Sequence, residues 1–524
     1  MNEVVLAVDC GTQSLRTLLF DMEGRLLAGE KIEYEPYFST EPGWAEQDAD
    51  VYWQSLCKGC LALKERHADL FGRICGIGVA AQRNTMICCS RQGEPLRPAI
   101  TWLDQRKAAP VFRPGRILRA AARSVGALDV VMRARADGKC NWIMHNEPHI
   151  WRKTAKYLQV SGFLNYRLTG AFKDSAASQI GHVPFHYKKR KWAGRYHVSS
   201  FLFPVGREKL PRLLEPGEAI GSITAEAARQ TGLTEGTPVI ACGSDKGCET
   251  VGMGVCGPET ASLSFGTTAT VQTTSSTYFE PLRFMPAYPS PVPGRYNPEV
   301  EIFRGYWMIT WYKNEFAHPE TVQAGKDGLA PEVLMDRLLE ETAPGAMGLV
   351  LQPFWSPGLA EPDAKGAIIG FGDVHTRAHV YRAVIEGLAF ALLEGLERIE
   401  SKSGRRVTQL AVSGGASRSD HICRISADVF NRPLVRGDTG ETSGLGAAIV
   451  TAAGLGYYPD VHKAVEKMVR YEKRFLPDSA AADLYDRLYR KVYRKMYDAL
   501  KPLYKQIREI TGYPADRPDI KTEE

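Results

Sequence analysis

The chain opens on an apolar run, Val4 to Val8, followed by a polar turn at Asp9 to Ser14 and a second apolar run from Leu15 to Phe20. Asp21 to Gly24 turns again and Arg25 to Ala28 begins a third strand, a pattern that predicts a meander at the start of a large α/β domain. Asp48-Ala49-Asp50-Val51-Tyr52-Trp53 starts a helix that Asp48 or Asp50 can cap. Ile74 to Ala80 reads as a buried strand running into Gln82-Arg83-Asn84-Thr85, and the turn Gly93-Glu94-Pro95 precedes a short apolar segment, Ala99 to Trp102. Residues 108–140 are basic and carry no decisive period. Gln179 to His186 reads as a loop and Lys188 to Lys191 as a solvated charged turn.

Further on, Pro238 to Gly243 predicts a strand that ends at Ser244-Asp245, and the small residues from Gly247 to Gly257 read as a crossover between domains. Thr260 to Phe265, Gly266-Thr267-Thr268 and Ala269 to Thr273 then repeat the opening unit of strand, Gly-Thr turn and strand, which points to a duplicated fold. Residues 378–400 place Val380, Val384, Leu388, Leu392 and Leu396 on one helical face. Val407 to Val412 is a strand entering Ser413-Gly414-Gly415-Ala416-Ser417, and Gly444 to Ala448 opens a small-residue helix suited to close packing. The tail holds a helix with Leu484, Leu488, Val492, Met496 and Leu500 as one stripe and Tyr485, Tyr489, Tyr493 and Tyr497 beside it, a face for packing rather than for a ligand.

Length adds the domain count. A single core stops growing near about 250–300 residues, so 524 residues imply two domains. The excess of 66 basic over 60 acidic side chains is small, and it demands no nucleic acid as partner. Cys57 and Cys60 form a C-x-x-C with no second pair to complete a zinc set, so the eleven cysteines read as reduced thiols of a cytoplasmic protein. The sequence has no signal-peptide pattern, and no apolar run approaches the roughly 18 residues of a membrane span; no membrane partner is expected.

Four segments carry candidate chemistry. In Asp9-Cys10-Gly11-Thr12 the glycine lets backbone N–H groups approach phosphate oxygens, Thr12 and Arg16 add donors, and Asp9 suits Mg²⁺ and its waters; the same residues also suit an ordinary hairpin turn. Gly266-Thr267-Thr268 is a matching turn, as gripping a triphosphate from two sides requires. Gly414-Gly415-Ala416 form a strand-to-helix turn that can admit adenosine to the backbone; this turn lacks the spacing of G-x-G-x-x-G, and the sequence has no P-loop. Asp245 ends a strand where open α/β sheets place ligands, and it can act either as a base for a hydroxyl nucleophile or as a helix N-cap.

These pieces, in this order, resemble the FGGY family of carbohydrate kinases from residue 4 to about 475. D-C-G-T-Q-S-L-R at 9–16, G-W-A-E-Q-D at 43–48, Q-R-N-T-M at 82–86, G-E-P-L-R-P-A-I-T-W-L-D-Q-R at 93–106, G-S-D-K at 243–246 and G-T-T at 266–268 are similar to family segments. So are 366–387, ending V-I-E-G, S-G-G-A-S-R-S at 413–419 and E-T-S-G-L-G-A-A at 441–448. K-C-N-W-I-M-H-N at 139–146 and Phe371 depart from the family pattern. The resemblance implies an α/β fold of two actin-like ATPase (ribonuclease H-like) domains with a nucleotide cleft between them. The expected boundaries are 1–250, 251–475 and a helical extension at 476–524.

By the same resemblance Asp245 is the catalytic base and Asp9 helps hold Mg²⁺. Thr12, Gln13, Arg16 and Thr267 meet ATP phosphates, while Gly414, Gly415 and Ala416 line the adenosine site. Gln82, Arg83, Asp104, Asp245 and Lys246 face the sugar. Asn84 replaces the glutamate of glycerol kinases, which disfavours glycerol and favours a ketose such as a pentulose. The implied partners are a small sugar and ATP, with a homodimer left open. The rival expectation is a non-catalytic sugar- and ATP-binding regulator on the same fold, against which the retention of Asp9, Thr12, Asp245 and Thr267 argues.

Overall fold

A computed structural model describes residues 3–108, 128–355 and 364–512. Part of the basic segment at 108–140 and the last twelve residues lie outside the described residues. The chain folds as two compact units. The first comprises residues 1–256, 287–297 and 441–469, the second 257–286, 298–440 and 470–524.

The first unit is built on β1 (Val4–Cys10), β2 (Ser14–Asp21), β3 (Leu26–Glu33), β4 (Ile74–Ala81), β5 (Ala219–Ser222) and β6 (Pro238–Ser244), in the order β5-β6-β4-β1-β2-β3. β1, β2 and β3 form the expected antiparallel meander, while β1 pairs parallel with β4 and β4 with β6. The unbroken apolar run of β1 follows from burial on both faces. Val4, Leu6 and Val8 enter one core with Trp53 and Leu56 of the Ala49–Arg66 helix and Phe163 of the Val160–Thr169 helix. Val5 and Ala7 enter the other with Leu445 and Ile449 of the Thr442–Gly454 helix. Asp48 caps the Ala49–Arg66 helix, its side chain accepting from the Asp50 amide.

The small-residue stretch after β6 carries the chain from the first unit to the second at 256–257, and it opens as a helix. Asp245–Gly252 is a helix, and its glycine allows backbone-to-backbone packing on the Thr442–Gly454 helix. A Cβ at Gly252 would stand 1.9 Å from Thr442 O, and one at Gly446 would stand 1.8 Å from Cys248 O. The glycines at 252 and 446 serve close helix contact.

The second unit repeats the plan with β7 (Thr260–Phe265), β8 (Ala269–Gln272), β9 (Glu299–Ile302), β10 (Gln409–Ser413), β11 (Leu434–Gly437) and β12 (Tyr471–Phe475), in the order β9-β8-β7-β10-β11-β12. A three-stranded antiparallel meander again leads into two parallel strands and an antiparallel edge strand. The Arg377–Ser403 helix buries Val380, Val384, Leu388, Leu392 and Leu396 in the core of this unit.

The tail belongs to that same core. Tyr485, Tyr489 and Tyr493 are wholly buried, whereas Leu484, Leu488 and Val492 are only partly so. Their four-residue spacing stays on one face because residues Tyr489–Tyr493 form a π-helical turn. Its wider turn offsets the drift that such spacing accumulates in an α-helix. The units therefore interleave along the chain, where the sequence reading drew consecutive segments divided at 250 and 475.

Candidate active site

Three polar segments leave the same end of three neighbouring parallel strands. Cys10 of β1 stands in register with Ala81 of β4, and Ala81 with Ser244 of β6. The turn after Cys10, the segment Gln82-Arg83-Asn84 and Asp245 are thereby set in a row at the C-terminal ends of the strands, the position that open α/β sheets use for ligands.

Asp9 is the penultimate residue of β1 and faces Arg16 across the hairpin. Arg16 Nη1 donates to Asp9 Oδ2 at 3.1 Å, and its Nε lies 3.4 Å from the carboxylate of Glu441. Burial pushes the Asp9 carboxyl up to about 7; Arg16 opposes the shift, and the charges of Asp245 and Glu441 add to it. The turn itself is held from behind. Gly11 O accepts from Tyr34 Oη at 2.7 Å and from Gln82 Nε2 at 3.1 Å, and Thr12 Oγ1 accepts from the Trp102 indole at 2.9 Å. Gln13 is exposed at the tip.

Asp245 is the first residue of its helix, but Ser244 is the cap, its hydroxyl accepting from the Gly247 amide at 3.2 Å. That removes the N-cap alternative for Asp245. Asp245 Oδ1 accepts from the Lys246 amide at 2.7 Å. Burial raises the pKa of the Asp245 carboxyl, against the pull of the positive charges on Arg83 and Lys246. Lys246 Nζ pairs with Glu249 at 2.7 Å, and the Arg83 guanidinium lies over the Tyr288 ring, 5.3 Å from its centre.

In the second unit Thr267 sits exposed in the β7–β8 turn, whose backbone is braced by the amides of Gly305 on Thr267 O (2.9 Å) and Tyr306 on Gly266 O (3.0 Å). Ser264 of β7 pairs with Ser413 of β10, so the Gly414-Gly415-Ala416 turn emerges beside the Thr267 turn. Gly414 has φ 89° and lies so close to the Phe265 backbone that a Cβ would approach it to 2.7 Å, so only glycine fits.

Residues 4–252 match the N-terminal domain, and residues 261–455 the C-terminal domain, of the FGGY family of carbohydrate kinases. The chain belongs to that family. It is thus an enzyme, a carbohydrate kinase that moves a phosphoryl group from ATP to a sugar. Among relatives of this FGGY kinase, the "Uncharacterized sugar kinase YgcE" of Escherichia coli K12 is 29% identical over 494 residues, covering 93% of this chain and 92% of the relative. The xylulose kinase of Lactococcus lactis subsp. lactis is 26% identical over 517 residues, 97% of each protein. The crystal structure of the xylulose kinase from Rhodospirillum rubrum superposes with a TM-score of 0.78 at 25% identity, over 96% of this chain and all of that one. The FGGY kinase shares with it the α/β architecture of two actin-like ATPase domains. No helix among the described residues is long and apolar enough to cross a membrane.

Two residues expected at the sugar, Asp104 and Gln82, have intramolecular partners in the kinase. The Asp104 carboxylate, about 1% exposed, is committed to Arg106 at 2.8 Å and to the Ala45 amide at 2.7 Å. Arg106 in turn is held between the rings of Trp44 and Trp142, 4.0 and 4.5 Å from their centres. Gln82 is buried and spans Gly11 and the Thr85 hydroxyl. Gln82 thus ties the turn that carries Thr12 to the segment that carries Arg83, and Asp104 ties Arg106 to the backbone at Ala45. Asn84 adopts φ 58° and its side-chain oxygen accepts from the His182 amide at 3.1 Å. Sequence reading missed Trp102, Tyr34, Glu249 and the carboxylate of Glu441. Trp102 and Glu441 lie inside segments that resemble the family, and that position was their only signal.

Proposed function

We propose that this FGGY kinase phosphorylates a hydroxyl group of a small ketose such as a pentulose, with Asp245 orienting the hydroxyl and accepting its proton. The observation that supports this most is the setting of Asp245. It follows a parallel strand, is excused from helix capping by Ser244, and faces the charges of Arg83 and Lys246. Phosphoryl transfer to an alcohol asks of the protein mainly position and charge, together with a carboxylate to receive the proton. Burial that raises the carboxyl's pKa makes it a stronger base than a solvated aspartate.

Arg83 offers a planar donor fork for two sugar oxygens and Lys246 a third donor. Gln82 and Asp104 act from behind, through Gly11 and Arg106. Thr12, Gln13, Arg16 and Thr267 take phosphate oxygens, and Gly414, Gly415 and Ala416 receive the adenosine. Asp9 fits Mg²⁺: around it the acids Asp245 and Glu441 outnumber the one nearby cation, Arg16, and its carboxyl is pushed up to about 7, first by burial and then by those two negative charges. When bound there, the ion neutralises charge on the transferring phosphoryl group.

The choice of a ketose rests on the xylulose kinases among the relatives and on Asn84, which stands where a glycerol kinase carries glutamate. Turnover of a panel of ketoses, aldoses and polyols, followed by coupled detection of ADP, tests it. A pentulose is expected to give the highest kcat/KM. A polyol or aldose at the top of the ranking would overturn the substrate assignment and leave the family intact.

A further inference from the structure

The first unit contains a cleft of about 490 Å³ that shares no residue with the loops described above. Lys156, Lys191, Arg207 and Arg212 line it with Phe172 and Trp192, and no carboxylate does so among the described residues. The side chains of Lys191, Arg207 and Arg212 have neither an ion pair nor a hydrogen bond to a described residue.

The cleft is a built feature. Trp192 is buried, and its indole Nε1–H donates to Pro211 O at 2.8 Å. Phe172 is stacked on Tyr166 with ring centres 4.1 Å apart. Lys156 Nζ is tied to the carbonyls of Glu208 at 2.8 Å and Leu210 at 3.0 Å, which leaves it one further proton to donate. Partial burial lowers the pKa of Lys156, and the charge of Glu208 works in the opposite direction.

Four cations converging on one concavity repel one another, and an anion of two charges relieves that repulsion while taking charge-assisted hydrogen bonds. The volume exceeds what a bare phosphate fills, and the aromatic walls offer apolar surface to a few carbon atoms. A long polyanion would instead call for a stripe of charge along an open face.

We propose that this cleft binds a small phosphomonoester of sugar-phosphate size, at a site distinct from the catalytic loops. Calorimetric titration of the full chain tests it, with Mg²⁺ and a non-hydrolysable ATP analogue saturating the nucleotide site. Ribose 5-phosphate is the probe, ribose the uncharged control and inorganic phosphate the bare anion. Ribose 5-phosphate is expected to bind more tightly than phosphate, and ribose not at all. The exposed pair Lys191→Ala with Arg212→Ala is expected to weaken binding at least about tenfold, with unchanged Tm and turnover, whereas Arg83→Ala leaves it unchanged. Four results would overturn the proposal. They are no binding at millimolar ribose 5-phosphate, equal binding of phosphate and its ester, undiminished affinity in the double variant, and loss of binding in Arg83→Ala.

Discussion

Asp9 and Arg16 are register partners on adjacent strands, and the guanidinium donates to the carboxylate at 3.1 Å. The pairing is incomplete compensation, because the Asp9 carboxyl still rises to about 7 through burial and the nearby charges of Asp245 and Glu441. A folded-state pKa above the unfolded value means that the native state holds a proton which the unfolded chain has released. The resulting destabilisation is complete above pH 7 and is relieved as pH falls towards 4. Asp174, at about 6, and Glu386, at about 7, have the same sign. The nucleotide-free enzyme is therefore expected to melt at higher temperature at pH 5.5 than at pH 8. Asp9→Asn should flatten that dependence by about one proton. Parallel pH profiles for the two proteins would remove Asp9 as a contributor.

Asp245→Asn preserves size and the hydrogen bond from the Lys246 amide while deleting the base. Turnover is expected to fall by about 10²–10⁴-fold, with affinity for the nucleotide unchanged. Because Ser244 caps the helix, the variant should also keep the parent Tm. A large drop in Tm would mean that the residue acts on the fold instead.

Asn84 turns on a left-handed backbone, and its side chain holds the amide of His182. Asn84→Asp tolerates that conformation and keeps an acceptor, so it should alter kcat/KM less than Asn84→Ala, which loses both advantages. Asn84→Glu supplies the carboxylate of glycerol kinases, and it is expected to raise glycerol turnover relative to the best ketose. Measured ratios that do not move in any of the three variants would separate this segment from sugar selection.

The tail is tied to the family segment at 366–387 through Glu386. Its Oε1 accepts from Tyr485 at 2.7 Å and from the Gly345 amide at 3.0 Å, with Arg382 3.4 Å away. Glu386→Ala should cost about 3–5 kcal/mol by leaving Arg382 buried without its partner. Tyr485→Phe should cost about 1–3 kcal/mol by leaving the carboxylate short of a donor. Denaturant unfolding measures both. A chain ending at Leu476 is expected to lose cooperative folding of the second unit, visible as loss of amide protection in the Arg377–Ser403 helix. Retained protection would make the tail an appendage.

Local chemistry was legible in the sequence. A continuous apolar run marked β1, glycine and threonine marked the turns after β1 and β7, and the order of the motifs carried the family and the aspartate proposed as its base. What resisted reading was whatever depends on a partner distant in the chain. Asp104 and Asp245 are both acids in similar family-like segments, but one is neutralised by Arg106 and the other faces Arg83 and Lys246. Only tertiary structure assigns those neighbours. The small residues from Gly247 to Gly257 marked the passage between the units but not their packing role, because the helix from Thr442 that requires the close approach lies nearly 200 residues away. Likewise the tail was legible as a packing face, but helical spacing alone did not show that its tyrosines lie deeper than Leu484, Leu488 and Val492; a π-helical turn aligns them and Glu386 waits beneath. Periodicity fixes which residues share a face, while burial and charge compensation are set by what the fold brings against that face.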